Sequence, residues 1–257
     1  MRTLAQTGLS NLWIRDVARN TLTRLTTSRM RESDPTWSPD DGRIAFSSAE
    51  PDGRKHFFIM PSSGGDAAEF MPSLPGKAGL DDWSSDGRFI LYHDASTHMF
   101  VVELAGGHQT ILVTDTVSGE QPDQGAFAPA THEVAFTTQE TGRSEVYVKA
   151  FPPTGARRQI SNAGGVQPLW RRDGRELYYL ALDGTLMAVD ILSPAPAFRA
   201  GVPRPLFKTR IVPAYQNFQY GASSDGSHFV LLEPALNEPG AALRIVLDWR
   251  ALLETKN

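Results

Sequence analysis

The sequence predicts an all-β chain, a β-propeller of four-stranded antiparallel blades. Three observations carry this: a repeat of about 43 residues, an Asp-Gly pair at one place in most copies, and an aromatic anchor just ahead of it. The copies are DPTWSPDDGRIAFSS from Asp34, LDDWSSDGRFILYHD from Leu80, QGAFAPATHEVAFTT from Gln124, QPLWRRDGRELYYLA from Gln167 and QYGASSDGSHFVLLE from Gln219. Their anchors, Trp37, Trp83, Phe127, Trp170 and degenerately Ala222, are 46, 44, 43 and 52 residues apart.

Within a repeat the elements follow in a fixed order. A short strand ends at the anchor. Asp-Gly then closes a hairpin, at Asp41-Gly42, Asp86-Gly87, Asp173-Gly174 and Asp225-Gly226, because glycine accepts the positive φ of a tight turn. Thr131-His132 stands there in the third repeat and implies another turn type. An apolar second strand such as 89–92 follows, then a third (56–60, 99–104, 145–150, 185–191), a Gly-rich turn and a short outer strand such as 109–114. Complete repeats are expected at about 34–72, 79–115, 123–162 and 167–210, all within one domain over 1–257. Residues 11–27 read as a third and fourth strand, and 219–253 as a partial blade at the other end. The terminal strands fit six blades with incomplete terminal ones, or the tail of a longer propeller; five blades with a surplus strand is the weaker alternative. Open blade edges are expected to invite self-association.

The anchor aromatics are expected to fill the wedge between neighbouring sheets. The aspartates Asp41, Asp86, Asp173 and Asp225 are read as turn residues accepting nearby backbone N–H groups, not as metal ligands.

Composition narrows the functional classes. Hydrophobic residues make up 40% and charged residues 21% of 257, enough to bury a sizeable core. A net charge of −4 argues against a nucleic-acid partner. The absence of cysteine excludes disulfides, thiolate metal sites and Cys nucleophiles. No stretch approaches the about 20 apolar residues of a membrane span, and the N-terminus lacks the apolar run of a signal peptide. No phosphate-binding loop, dinucleotide fingerprint or calcium loop is found, and no G-x-S-x-G elbow: Gly142-Arg143-Ser144 and Gly221-Ala222-Ser223 both depart from it. His93 and His98 are five apart in a loop, and His132-Glu133 does not complete a zincin motif. The reading is therefore a chain without cofactor, metal or catalytic residues.

The stretch W-S-P-D-D-G-R-I-A-F at 37–46 resembles the TolB-type, WD40-like PD40 repeat, with weaker copies over nearly the whole chain. The phrases EVYVKAFPPTGARRQIS, GGVQPLWRRDGRELYYLALDGTLMAVDI, RPLF and IVLDWRALL of the C-terminal half resemble the propeller that ends many bacterial transmembrane serine/threonine protein kinases. That resemblance implies an extracytoplasmic sensor that binds a protein, peptide or cell-wall-derived ligand. It carries over no kinase activity, since the chain holds neither H-R-D nor D-F-G. The alternatives are the propeller of a prolyl-oligopeptidase-like peptidase and a propeller enzyme with a metal in its channel; a structural platform without a small ligand is a third. Among the loops, 194–217 mixes cations and aromatics, so Arg199, Arg204, Arg210 and Tyr215 are the candidate ligand contacts.

Overall fold

The computed structural model describes residues 2–4, 10–16, 19, 21–65, 68–71, 74, 78–94, 98–106, 109–114, 123–131, 133–140, 142–153, 157–194, 197–214, 218–234 and 241–247. Every regular element among them is a strand. The chain divides into two compact units, 1–112 and 113–257.

The first unit opens with β1 (Arg2–Leu4), β2 (Ser10–Asp16) and β3 (Thr21–Arg24), which pair antiparallel about β2. A single parallel bridge, Ser10 to Arg31, ties them to the first complete set of four: β4 (Arg31–Trp37), β5 (Arg43–Ala49), β6 (Lys55–Pro61) and β7 (Glu69–Met71). The second set is β8 (Gly79–Trp83), β9 (Phe89–His93), β10 (Met99–Glu103) and β11 (Thr110–Leu112). Its strands lie side by side in chain order, the pattern short polar turns dictate. Trp83, Ile90, Tyr92 and Val102 from this sheet bury against Ala45, Phe57 and Ile59 of the preceding one.

The second unit repeats the plan: β12 (Asp123–Phe127), β13 (Val134–Thr138), β14 (Glu145–Lys149) and β15 (Arg158–Gln159) form one sheet. β16 (Val166–Trp170), β17 (Glu176–Leu180) and β18 (Thr185–Ser193) follow, with β19 (Arg199–Ala200) and β20 (Arg204–Lys208) both pairing the nine-residue β18. β21 (Tyr220–Ala222), β22 (His228–Pro234) and β23 (Ala241–Leu247) make a last, three-stranded sheet. The second strands β13 and β17 are buried along their whole length. They show no alternation of polar and apolar residues, as expected of strands covered on both faces, and the polar Thr137, Thr138 and Glu176 are buried with the rest. Two clusters fill the spaces between sheets: Val146, Val148, Trp170, Leu177 and Tyr179 between the first pair, and Tyr178, Leu186, Phe207, Tyr220 and Phe229 between the second.

The hairpin turns show why Asp and Gly recur. The Asp86 carboxylate accepts from the Ser84 hydroxyl at 2.6 Å and the Arg88 N–H at 3.0 Å, and Asp225 does the same for Ser223 and Ser227. Asp173 accepts the Arg175 N–H at 3.0 Å and is gripped by the Arg171 guanidinium. The glycine after each aspartate takes the positive φ: +74° at Gly87, +72° at Gly174 and +69° at Gly226. The first repeat corrects the reading of Asp41. Its extra residue shifts the roles by one, so Asp40 accepts from Ser38 and Gly42 while Asp41 sits in the left-handed position, φ +58°. Aspartate tolerates that region better than most side chains.

Candidate functional site

The first strand of each complete set carries a bulge, and in the sets that begin with β8, β12 and β16 that strand is the edge of its sheet. Pairing to the second strand slips between Ser33 and Thr36, Leu80 and Asp82, Asp123 and Ala126, and Val166 and Leu169. At three bulges a residue with a side chain adopts positive φ: Asp34 (+54°), Gln124 (+57°) and Gln167 (+58°). For glutamine this costs about 1–2 kcal/mol. Bulges re-aim side chains, and here they aim polar ones into buried positions.

In the second unit the result is a row of three glutamines, each opening a repeat. Gln124 Oε1 accepts the backbone N–H of Gln167 at 3.0 Å, and Gln167 Oε1 accepts that of Gln219 at 2.7 Å. An edge strand presents N–H groups with no strand to take them. The preceding glutamine supplies the missing acceptor. The Tyr220 hydroxyl adds a bond to the Gln167 carbonyl at 2.7 Å, and burial holds its pKa far above the ordinary tyrosine value. The amide nitrogens then point at one atom: Gln124 Nε2 donates to the Ala214 carbonyl oxygen at 2.7 Å, and Gln167 Nε2 to the same oxygen at 3.0 Å. Gln167 Nε2 also reaches Gln219 Oε1 at 2.8 Å, which accepts the Ala214 N–H at 3.0 Å. Three amides thus read both backbone groups of a single residue. Gln124 and Gln167 are 2% and 0% exposed, so each donor has a large incentive to be satisfied.

The first unit places charge at the equivalent positions. Burial works to raise the Asp34 carboxyl, but Lys55 at 2.9 Å and the hydroxyls of Ser47 and Ser33 outweigh it and hold the pKa below the ordinary value. Asp81 is almost wholly buried and contacts His93 Nδ1 at 2.9 Å, while its backbone carbonyl accepts from Thr36 Oγ1. The His93 ring lies against Gly79, where a Cβ would stand 2.6 Å from it.

The expected site residues disperse. Trp83, Phe127 and Trp170 are buried, Trp170 Nε1 donating to the Ala126 carbonyl and Trp83 lying under the Arg43 guanidinium. Trp37 differs from the expectation: it is 44% exposed. Trp83 packs with Ala45, Phe57 and Ile59, and Trp170 with Ala126, Ala135 and Val146, in each case from the preceding repeat. Arg204 pairs with Glu176 and Asp190, and Arg210 with the fully buried Glu233 at 2.8 Å. Arg199 is exposed on β19, and Tyr215 lies outside the described residues. The loop containing them nonetheless supplies Ala214 to the glutamine row. The glutamines carried a visible signal, standing three residues before each anchor, but hydrophobic periodicity gives no weight to an uncharged polar residue at a strand start.

No family model matches the chain. Its structure is similar to TolB from Acinetobacter baumannii, with a TM-score of 0.71, 18% identity and coverage of 93% of this chain and 57% of that one. It is also similar to the Cps50 (Swd1) β-propeller domain of Myceliophteria thermophila: TM-score 0.59, 12% identity, 94% of this chain and 77% of that one. The chain therefore has a TolB-like β-propeller fold. In sequence, 82 residues are 33% identical to the uncharacterized peptidase YuxL of Bacillus subtilis, covering 32% of this chain and 12% of YuxL. The chain thus spans little over half the length of that TolB and matches a small part of YuxL.

Proposed function

We propose that this chain is a non-catalytic binding module, the sensing part of a receptor-like protein, that recognises a protein or peptide ligand. The observation that supports it best is the glutamine row, which already holds the backbone of one residue by its N–H and C=O. Neutral amides that donate and accept in this way suit an extended backbone rather than a reacting bond. The resemblance of the C-terminal half to kinase sensor propellers points the same way, and would make the ligand extracytoplasmic.

A second reading has its own support in the stretch shared with YuxL: the chain would then be the propeller of a peptidase-like enzyme, admitting peptides to chemistry carried elsewhere. Both readings have peptide as the ligand and differ in the fate of the bound peptide. The test is saturable binding of a random peptide library to the purified chain, with the recovered peptides sequenced intact. Enrichment of intact peptides at micromolar affinity is the expected result. Cleavage of them that depends on a residue of this chain would overturn the non-catalytic reading.

A further inference from the structure

The geometry points to the paired amides of Gln124 and Gln167 as a receiving site for a peptide carbonyl or carboxylate oxygen, filled by the chain's own segment 212–214, which a partner must displace. This rests on the binding-module reading above and specifies its site and its regulation.

The donors are set before any ligand arrives. Gln124 Oε1 is fixed by the Gln167 N–H and Gln167 Oε1 by the Gln219 N–H, so both NH₂ groups keep their direction whatever lies in front of them. They converge on one oxygen at 2.7 and 3.0 Å. Preorganised donors of this kind lower the ordering cost of binding. The third amide, Gln219 Oε1, accepts the N–H of the same residue, so the site reads one residue's whole backbone. Ala214 is exposed on its other side, which makes the position tolerant of many side chains.

The resident segment is lightly held. Ile211 is buried at 3% and pins its start. After it Val212 is 72% exposed, an apolar side chain left in water, and Ala214 buries no side chain in compensation. The bonds to the three glutamines are the described contacts of Ala214. Segments with few buried apolar contacts open at a small fraction of the global stability. An intramolecular occupant also weakens an external ligand by the fraction of time the site is closed.

The test uses the full chain and a labelled peptide of the segment's own sequence, acetyl-Ile-Val-Pro-Ala-Tyr-Gln-amide, with binding read by fluorescence anisotropy. Ala214→Pro removes the N–H that Gln219 accepts and should loosen the segment. It is expected to bind the peptide about tenfold more tightly than the wild-type chain, the worth of one hydrogen bond of about 1.4 kcal/mol. Adding Gln124→Glu, which keeps an acceptor for Gln167 but loses the NH₂ donor, should abolish the gain. Gln167→Glu serves as a second such variant if the first does not melt cooperatively. A gain that survives both substitutions, or none at all, overturns the site. Library peptides that bind equally well to every variant would leave the binding-module reading standing and refute this location. No peptide binding at all, with faster hydrogen exchange at 209–212 in Ala214→Pro, would refute the binding reading while showing that the segment opens.

Discussion

Gly226→Ala tests how the Asp-Gly turns hold one sheet to the next. Gly226 has φ +69°, and a Cβ there would overlap the Tyr178 hydroxyl and stand 2.9 Å from Arg171 Cδ. Neither neighbour yields easily. Tyr178 is fully buried, its ring packs edge-on to Phe229 at 5.1 Å, and its hydroxyl donates to Glu176 Oε2 at 2.9 Å. Arg171 is tied to Asp173 and Glu176. The left-handed backbone costs alanine about 1–2 kcal/mol, overpacking typically about 1–3, and a displaced buried hydrogen bond about 1 more; we expect a loss of about 3–6 kcal/mol. Gly142→Ala is the control in the same unit, with φ +78° and nothing within 4 Å of the added atom, so it bears the backbone cost alone. Urea unfolding followed by tryptophan fluorescence gives both midpoints. If Gly226→Ala is no more destabilising than Gly142→Ala, the turn is only a turn and its packing on the preceding sheet contributes nothing.

Three further outcomes are expected. Gln167→Leu strips the Gln219 N–H of its acceptor and should cost about 2–3 kcal/mol, whereas Gln124→Leu leaves the Gln167 N–H a second acceptor, Thr137 Oγ1 at 3.2 Å, and should cost about 1 less by the same urea titration. Asp34 has a depressed native pKa, so its contribution is fully present above the ordinary 3.8 and is lost as pH falls through the lower native value. Asp34→Asn should therefore be less stable at neutral pH and lose less on acidification, as a melt series from about pH 6 to pH 2 would show. Trp83→Ala should cost about 3–5 kcal/mol and the exposed Trp37→Ala about 1 or less, measured by thermal melts.

The turns and second strands were legible because they are local. Asp-Gly announces its conformation in two residues, and a strand covered on both faces, such as Leu177–Leu180, announces itself by being apolar throughout. Trp37 misleads for the opposite reason: burial is set by neighbours distant in sequence, and the identity of one residue carries nothing of that. The Asp40 and Asp41 exchange shows the same limit at short range, since a single extra residue moves the capping carboxylate without changing the motif's appearance. The glutamine row was the least readable feature. The bonds of Gln124 and Gln167 in it join residues 43 to 90 positions apart, and the acceptor they share is a backbone carbonyl, which has no sequence signature. The cationic residues drew attention to the loop at 194–217, yet Arg204 and Arg210 are engaged with Glu176 and Glu233, and it is Ala214 that reaches the row.

The central claim is that the glutamine amides are the surface that meets a partner. The side-chain NH₂ resonances of glutamine, observed by NMR in the ¹⁵N-glutamine-labelled chain during titration with the intact peptides recovered from the library, test it most directly. The account predicts that the Gln124 and Gln167 resonances, assigned by single substitution, shift first and saturate together with the binding isotherm. Saturable binding with those two signals unmoved, and changes confined to other glutamines, would contradict it.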